Sequence, residues 1–185
     1  MKKTVLSLLA VAAVAVSVNA EPRFGMVAYN GGNNGAFNGA LNGNNVGLGN
    51  FQPGIIVVDD QYTASLSFGS RTSDNSGTKA TNSSFTLGAN YKMALDANNA
   101  GTFGIAYTSV SGDHFDSANN LQVLAGIERN LGNNLLLTLE AVVYETGKVD
   151  PNAAGAAAGI NASNTTETKT SGFLNGGRFG LAYLF

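Results

Sequence analysis

Three features of the sequence predict an all-β chain that closes as an eight-stranded antiparallel up-and-down transmembrane β-barrel. Six stretches alternate bulky apolar residues with small or polar ones at period two, the mark of strands with two unlike faces. The connections between successive stretches alternate short and long, as in barrels with turns at one end and loops at the other. The charges also avoid the middles of the stretches, whereas a solvent-facing sheet spreads charge along its outer face.

The first twenty residues are expected to be a leader. Lys2 and Lys3 precede an uncharged apolar run over residues 5–18, and Val18-Asn19-Ala20 places small or aliphatic residues before Glu21. This is a secretory signal peptide pattern, cleaved after Ala20. The run is shorter than the ~20 residues a spanning helix needs. The expected division is therefore a signal peptide over 1–20 and a barrel domain over 21–185. Removing Lys2 and Lys3 from the ten basic residues leaves eight against twelve acidic ones, a net charge of −4. No basic stripe marks a nucleic-acid partner. With no Cys and one His, zinc, haem and thiol chemistry lack their usual ligands, and no cofactor is expected.

The strands follow in order. Residues 23–30 (RFGMVAYN) and 51–58 (FQPGIIVV) are strand-like in composition without clean alternation, so their faces stay unassigned. In residues 61–70, Tyr62, Ala64, Leu66 and Phe68 share one face. In 83–95 the bulky face is Phe85, Leu87, Ala89, Tyr91, Met93 and Leu95. Phe103, Ile105 and Tyr107 mark the fifth strand, and Leu121, Val123, Ala125 and Ile127 the sixth. The seventh alternates Leu135, Leu137, Leu139, Ala141 and Val143 against Leu136, Thr138, Glu140, Val142 and Tyr144. The eighth alternates Phe173, Phe179, Leu181, Tyr183 and Phe185 against Leu174, Gly176, Arg178, Gly180, Ala182 and Leu184. Short connections are expected at 59–61, 96–100 and 132–134, and longer loops at 31–50, 74–80, 113–117 and 148–170. An even strand count leaves both ends of the domain on the short-turn side.

Periodicity alone does not say which face is outside. A soluble barrel buries the bulky face, and a membrane barrel turns it to lipid. Two observations favour lipid. Of the twenty charges past the leader, only Lys92, Glu128, Arg129, Glu140 and Arg178 fall well inside strands, and all but Arg129 lie on the small, polar face. The bulky-face aromatics also form two groups, with Tyr62, Tyr91, Phe103, Tyr183 and Phe185 near the short turns and Phe68, Phe85 and Phe173 toward the loops. Phe173 to Tyr183 spans ten residues, about 25 Å at ~3.3 Å rise and ~40° tilt, the height of an apolar band between aromatic girdles. The lumen would then hold Ser, Thr, Gly, Ala and Asn with Lys92, Glu128, Glu140 and Arg178. Such an interior is just wide enough for side chains to fill. Glu140 and Arg178, on neighbouring strands at matching distance from the turn, are expected to pair. Arg129 faces lipid by parity, close enough to the turn to reach the interface.

On these residues the chain resembles the small eight-stranded bacterial outer-membrane barrels of the OmpA transmembrane-domain and OmpX type, over the whole domain and in architecture rather than by a diagnostic motif. The resemblance implies several properties. Residence in the bacterial outer membrane would bring contact with its lipids and with lipopolysaccharide. Periplasmic chaperones and the barrel-assembly machinery would act during biogenesis. Lys92, Glu128, Glu140 and Arg178 would be a lumen ionic cluster that closes the barrel or gates a narrow pore, and the run Phe179, Leu181, Tyr183, Phe185 would be the assembly signal.

Other motifs have plain readings. NGAFNGALNG, residues 34–43, is an imperfect Gly/Asn repeat that suits a flexible connector better than an adhesive loop. Asp113, His114, Asp116 and Ser117 share a loop, as a His-dependent lipid-modifying enzyme would require, but they are also ordinary turn residues. The Asn82, Asn161 and Asn164 sequons are read as chance. The leading reading is a non-enzymatic integral outer-membrane protein with a packed polar and ionic interior and exposed loops for surface contact or adhesion. Its rivals are a narrow gated pore, a lipid-modifying enzyme and a secreted soluble lipid-binding barrel.

Overall fold

The computed structural model describes residues 22–33, 52–75, 78–113, 115–153 and 168–185. The expected leader, the NGAFNGALNG repeat, His114, Asn161 and Asn164 lie outside the described residues. Eight strands follow one another: β1 Arg23–Asn33, β2 Gln52–Val58, β3 Tyr62–Asn75, β4 Thr78–Ala94, β5 Asn99–Gly112, β6 Phe115–Gly132, β7 Leu135–Pro151 and β8 Thr168–Leu184. Each pairs antiparallel with the next. β8 returns to β1 from Gly25↔Leu184 to Asn33↔Gly176, which closes the barrel.

The bulky faces point outward. Phe68, Phe103, Ile127 and Leu139 are each about half exposed, at 53, 55, 48 and 52%. Thr63, Thr86, Asn90, Thr102, Glu128 and Arg178, on the opposite faces, are buried. β1 and β2 show why their alternation was illegible: both faces are apolar. Met26 and Ile55 point outward while Val27, Ile56 and Val58 point in. With Tyr29, Leu136, Ala182 and Leu184 the inward residues form an apolar cluster inside the barrel. A second such cluster joins Ala106, Leu124 and Val142. The lumen is therefore part apolar, a correction to the expectation of a mainly Ser, Thr, Gly, Ala and Asn interior.

Two more expectations change. The loops at 74–80 and 113–117 are instead the tips of long hairpins, since β3 and β4 stay in register to Asn75↔Thr78 and β6 begins at Phe115. β7 likewise runs to Pro151 and β8 starts at Thr168, inside the loop expected at 148–170. β4, β7 and β8 are each 17 residues long, well beyond the ~9–11 that cross an apolar band. These extensions carry hydroxyls and amides, so they give no hydropathy signal. Thr72 and Thr81 hydroxyls meet at 2.9 Å across one of them, and Asp113 Oδ2 accepts from the Thr81 amide at 2.8 Å. The second change is Tyr144. The β6–β7 register shifts between Val123 and Leu124, which sets Tyr144 opposite outward Val123 rather than on the inner face, and turns Glu145 inward, where it is buried.

The short turns explain themselves locally. Asn133 and Asn134 both adopt positive φ, 51° and 65°, the conformation of a two-residue hairpin turn that Asn tolerates better than most side chains. Asp59 Oδ1 accepts from the Gln61 and Tyr62 amides at the β2–β3 turn. Asp96 Oδ1 accepts from the Asn98 and Asn99 amides at 2.8 and 2.9 Å, and the Asn99 side chain donates to the same carboxylate. These bonds, the Asn98 amide foremost, hold the Asp96 carboxyl below its ordinary value of 3.8. A depressed folded value means that the carboxylate's support of the turn is fully present above the ordinary value, and is lost as pH falls through the depressed one. Carboxyl NMR titration of the folded barrel should place the Asp96 midpoint below 3.8, with the Asn98 and Asn99 amide shifts moving alongside. A midpoint at or above that value would refute this account of the turn.

Candidate functional site

The lumen concentrates the chain's buried charge. Lys92 on β4 donates from Nζ to Glu128 Oε1 on β6 at 2.8 Å, and Thr63 Oγ1 on β3 donates to Glu128 Oε2 at 2.8 Å. Arg178 on β8 donates from Nε to Glu140 Oε2 on β7 at 2.6 Å, and Asn90 Nδ2 on β4 donates to Glu140 Oε1 at 2.8 Å. Both carboxylates thus have both oxygens bonded, which offsets part of the cost of burying the pairs. The Arg178 guanidinium also lies 4.6 Å over the Tyr29 ring of β1, a cation–π contact.

Register explains how the pairs meet. Glu140 and Arg178 are direct cross-strand partners. Lys92 and Glu128 sit on either side of β5, where their partners are Thr102 and Ala100, small enough for the lysine stem to reach across. Glycine opens the remaining room. A Cβ at Gly180 would lie 2.6 Å from both the Tyr29 ring and Thr138 Oγ1. One at Gly126 would press on the Glu140 stem at 3.0 Å and on the backbone beside it. The small residues are therefore not filler: they leave the volume that long charged side chains occupy.

The four expected cluster residues are thus brought together as two pairs. Glu145 was not foreseen in the lumen; it is buried and accepts from Asn120 Nδ2 at 3.3 Å and Gln122 Nε2 at 3.4 Å. The broken alternation at Val142-Val143-Tyr144 is the signal that could have revealed it. At the turn end the Lys92–Glu128 pair borders a cavity of about 240 Å³ rimmed by Arg23, Asp59, Asp60 and Asp96.

Outside, Tyr62 and Tyr91 meet edge to face at 5.6 Å, and Phe103 is the cross-strand partner of Tyr91. Tyr183 and Phe185 likewise meet edge to face at 5.8 Å. Toward the loop end Phe68 is paired with Phe85, which tilts against Tyr107 at 6.4 Å. Phe173 is placed opposite Tyr144 by register. Leu181, Tyr183 and Phe185 are exposed and Phe179 half-buried. Phe24, at 58% exposure, joins the turn-end aromatics although its face was unassigned. Arg129 is exposed.

Neither a protein-family model nor a curated protein sequence matches the chain. Among solved structures it is similar to outer membrane protein H (OprH) from P. aeruginosa in micelles, with 17% identity, TM-score 0.49, and 90% of this chain and 100% of that one covered. A major outer membrane protein from Thermus thermophilus is 18% identical with TM-score 0.39, over 89 and 99% of the two chains. The attachment invasion locus protein Ail of Yersinia pestis is 12% identical with TM-score 0.38, over 91 and 100%.

Replacing Glu140 by Leu should cost about 3–5 kcal/mol, because it strands the Arg178 charge, while adding Arg178→Met should restore most of the loss. Urea unfolding of the folded barrel, followed by circular dichroism, measures both. A double variant as unstable as the sum of the singles would overturn the coupling.

Proposed function

We propose that the chain is a non-enzymatic integral protein of the bacterial outer membrane, whose barrel anchors it and whose extended strands and loops meet surface partners. The observation that supports this is the inversion of its faces. Met26, Ile55, Phe103 and Leu139 point outward, each more than half exposed, while two ion pairs are buried inside. In water each outward side chain, a little over half exposed, would forgo roughly half of the ~1.5–3 kcal/mol that full burial gives; in lipid the same surface is at no disadvantage. The lipid partners proposed with this reading are membrane lipids and lipopolysaccharide. Chaperones and the barrel-assembly machinery would read Phe179, Leu181, Tyr183 and Phe185 during biogenesis.

A lipid-modifying activity finds little support at Asp113. Its carboxylate accepts from the Thr81 amide, and its carbonyl accepts from Asn152 Nδ2 at 2.9 Å, bonds that tie neighbouring hairpin ends together. The narrow gated pore is the second reading, favoured by the turn-end cavity that reaches the Lys92–Glu128 pair. Single-channel recording in planar bilayers separates the two, and conductance unchanged by Lys92→Glu, which breaks the Lys92–Glu128 pair, would dispose of an ionic gate there.

The membrane reading itself is tested by heat-modifiable gel mobility of detergent-folded protein; a barrel that folds and stays soluble without detergent would refute it. Leu139→Arg, on the lipid-facing row, should destabilise the bilayer-folded barrel by about 2–4 kcal/mol, and no loss would count equally against the reading. Deleting Phe185 should lower the yield of assembled barrel in cells more than shortening any loop by one residue. Equal yields would remove the assembly role.

A further inference from the structure

Among the described residues the barrel's eight joints differ in length, and the shortest is not the β1–β8 closure. Among the described residues the β2–β3 ladder runs from Gly54↔Ser67 to Val58↔Thr63, five pairs. The β1–β8 closure has nine pairs. Gln52 and Pro53 belong to β2 and pair with Tyr29 and Ala28 of β1, but neither pairs with Phe68 or Gly69 of β3. Pro53 has no amide hydrogen to donate and so terminates ladders.

The chemistry behind each joint also differs. Parting two staves turns their inner faces toward the bilayer, so the cost depends on what those faces carry. The inner faces of β4, β6, β7 and β8 hold Lys92, Glu128, Glu140 and Arg178. Those of β1 and β2 hold Val27, Ile56 and Val58, and β2's outer face is already apolar at Ile55. Across the joint β3 buries Ser67 toward the loop end and, at the turn end, Thr63, which donates to Glu128 Oε2, so the polar load of the joint rises toward the turn. β2 is thus the stave that lipid could wet on both faces at least cost. At the turn end it is tethered to β3, because Asp59 donates its amide to Tyr62 O at 2.9 Å and accepts from the Tyr62 amide at 2.6 Å. On the inner side toward the loop end, the link is Ser67 Oγ to Gln52 Oε1 at 3.5 Å.

We propose that the barrel opens laterally at the β2–β3 joint, unzipping from Pro53 toward the Asp59 turn, and so exposes the apolar inner face of β2 to the acyl chains of surrounding lipid. The proposal takes the membrane reading as its setting. The β1–β8 seam stays closed while this joint opens, because its ladder is longer, whereas the joint's own bond to the buried charges, Thr63 to Glu128, lies at the turn where the unzipping ends.

Native-state amide exchange, followed by NMR on the folded chain in bicelles, tests it. The ladder amides within residues 54–58 and 63–67 should exchange at least tenfold faster than those of the β1–β8 and β4–β5 ladders. A disulfide between Ile55→Cys and Leu66→Cys, outward register partners across the joint, should slow that exchange at least tenfold. One between Met26→Cys and Tyr183→Cys, partners across the seam, should leave it unchanged. Seam amides that exchange as fast as those of the joint in the unmodified chain would overturn the proposal, and that comparison needs no variant. So would a joint lock without effect on exchange. Failure of the membrane reading is told apart because it appears as a barrel soluble without detergent, whatever its exchange pattern.

Discussion

Closure of the backbone ladder is the constraint on which the rest depends. A sheet with free edges leaves amide and carbonyl groups unpaired, a cost of several kcal/mol each in an apolar surround, and a barrel removes those edges. The seam is secured at one point beside the β6–β7 turn. Asn134 accepts the Leu184 amide through its carbonyl at 2.8 Å and the Arg23 guanidinium through its side chain at 2.7 Å. Phe185 donates its amide to Phe24 at 2.7 Å. Two consecutive αL asparagines thus make a hairpin and also hold the first and last strands in register.

Once the sheet closes, each strand has one face in the lumen and one outside, and the energetics of the two compartments separate. The lumen must be filled without voids and its charges neutralised. Here glycine and charge are coupled: Gly126 and Gly180 vacate space beside Glu140 and Tyr29, and the ion pairs occupy the axis that small side chains leave open. The apolar cluster around Ile56 and Leu184 packs beside them: its Tyr29 lies under the Arg178 guanidinium, and its Leu136 and Leu184 line the turn-end cavity with Lys92 and Glu128. Polar and apolar packing therefore share one interior, with β7 and β8 contributing to both.

Legibility in the sequence followed the strength of alternation. β3 to β6 and β8 were readable because a bulky face opposed a small one, so parity alone placed Lys92, Glu128 and Arg178 inside. β1 and β2 were not, since Val27 and Met26, or Ile55 and Ile56, are apolar on both sides of the wall. The hairpin extensions escaped because Ser, Thr and Asn strands carry no hydropathy contrast. Tyr144 and Glu145 were misplaced because one irregularity in β7 inverts every face beyond it. The Glu140–Arg178 contact was accessible from strand adjacency; the Lys92–Glu128 contact spans an intervening strand and needed the curvature of the closed sheet.

By itself the sequence determined the strand number, their up-and-down order, the short turns and the inward parity of the four central charges, because these depend on local period and spacing. Only the tertiary structure decided which carboxylate bonds which cation, how far the strands extend, where the apolar clusters sit in the lumen and, among the described residues, where the ladder is shortest. Those properties depend on register and curvature, which are summed around all eight strands and belong to no single stretch of chain.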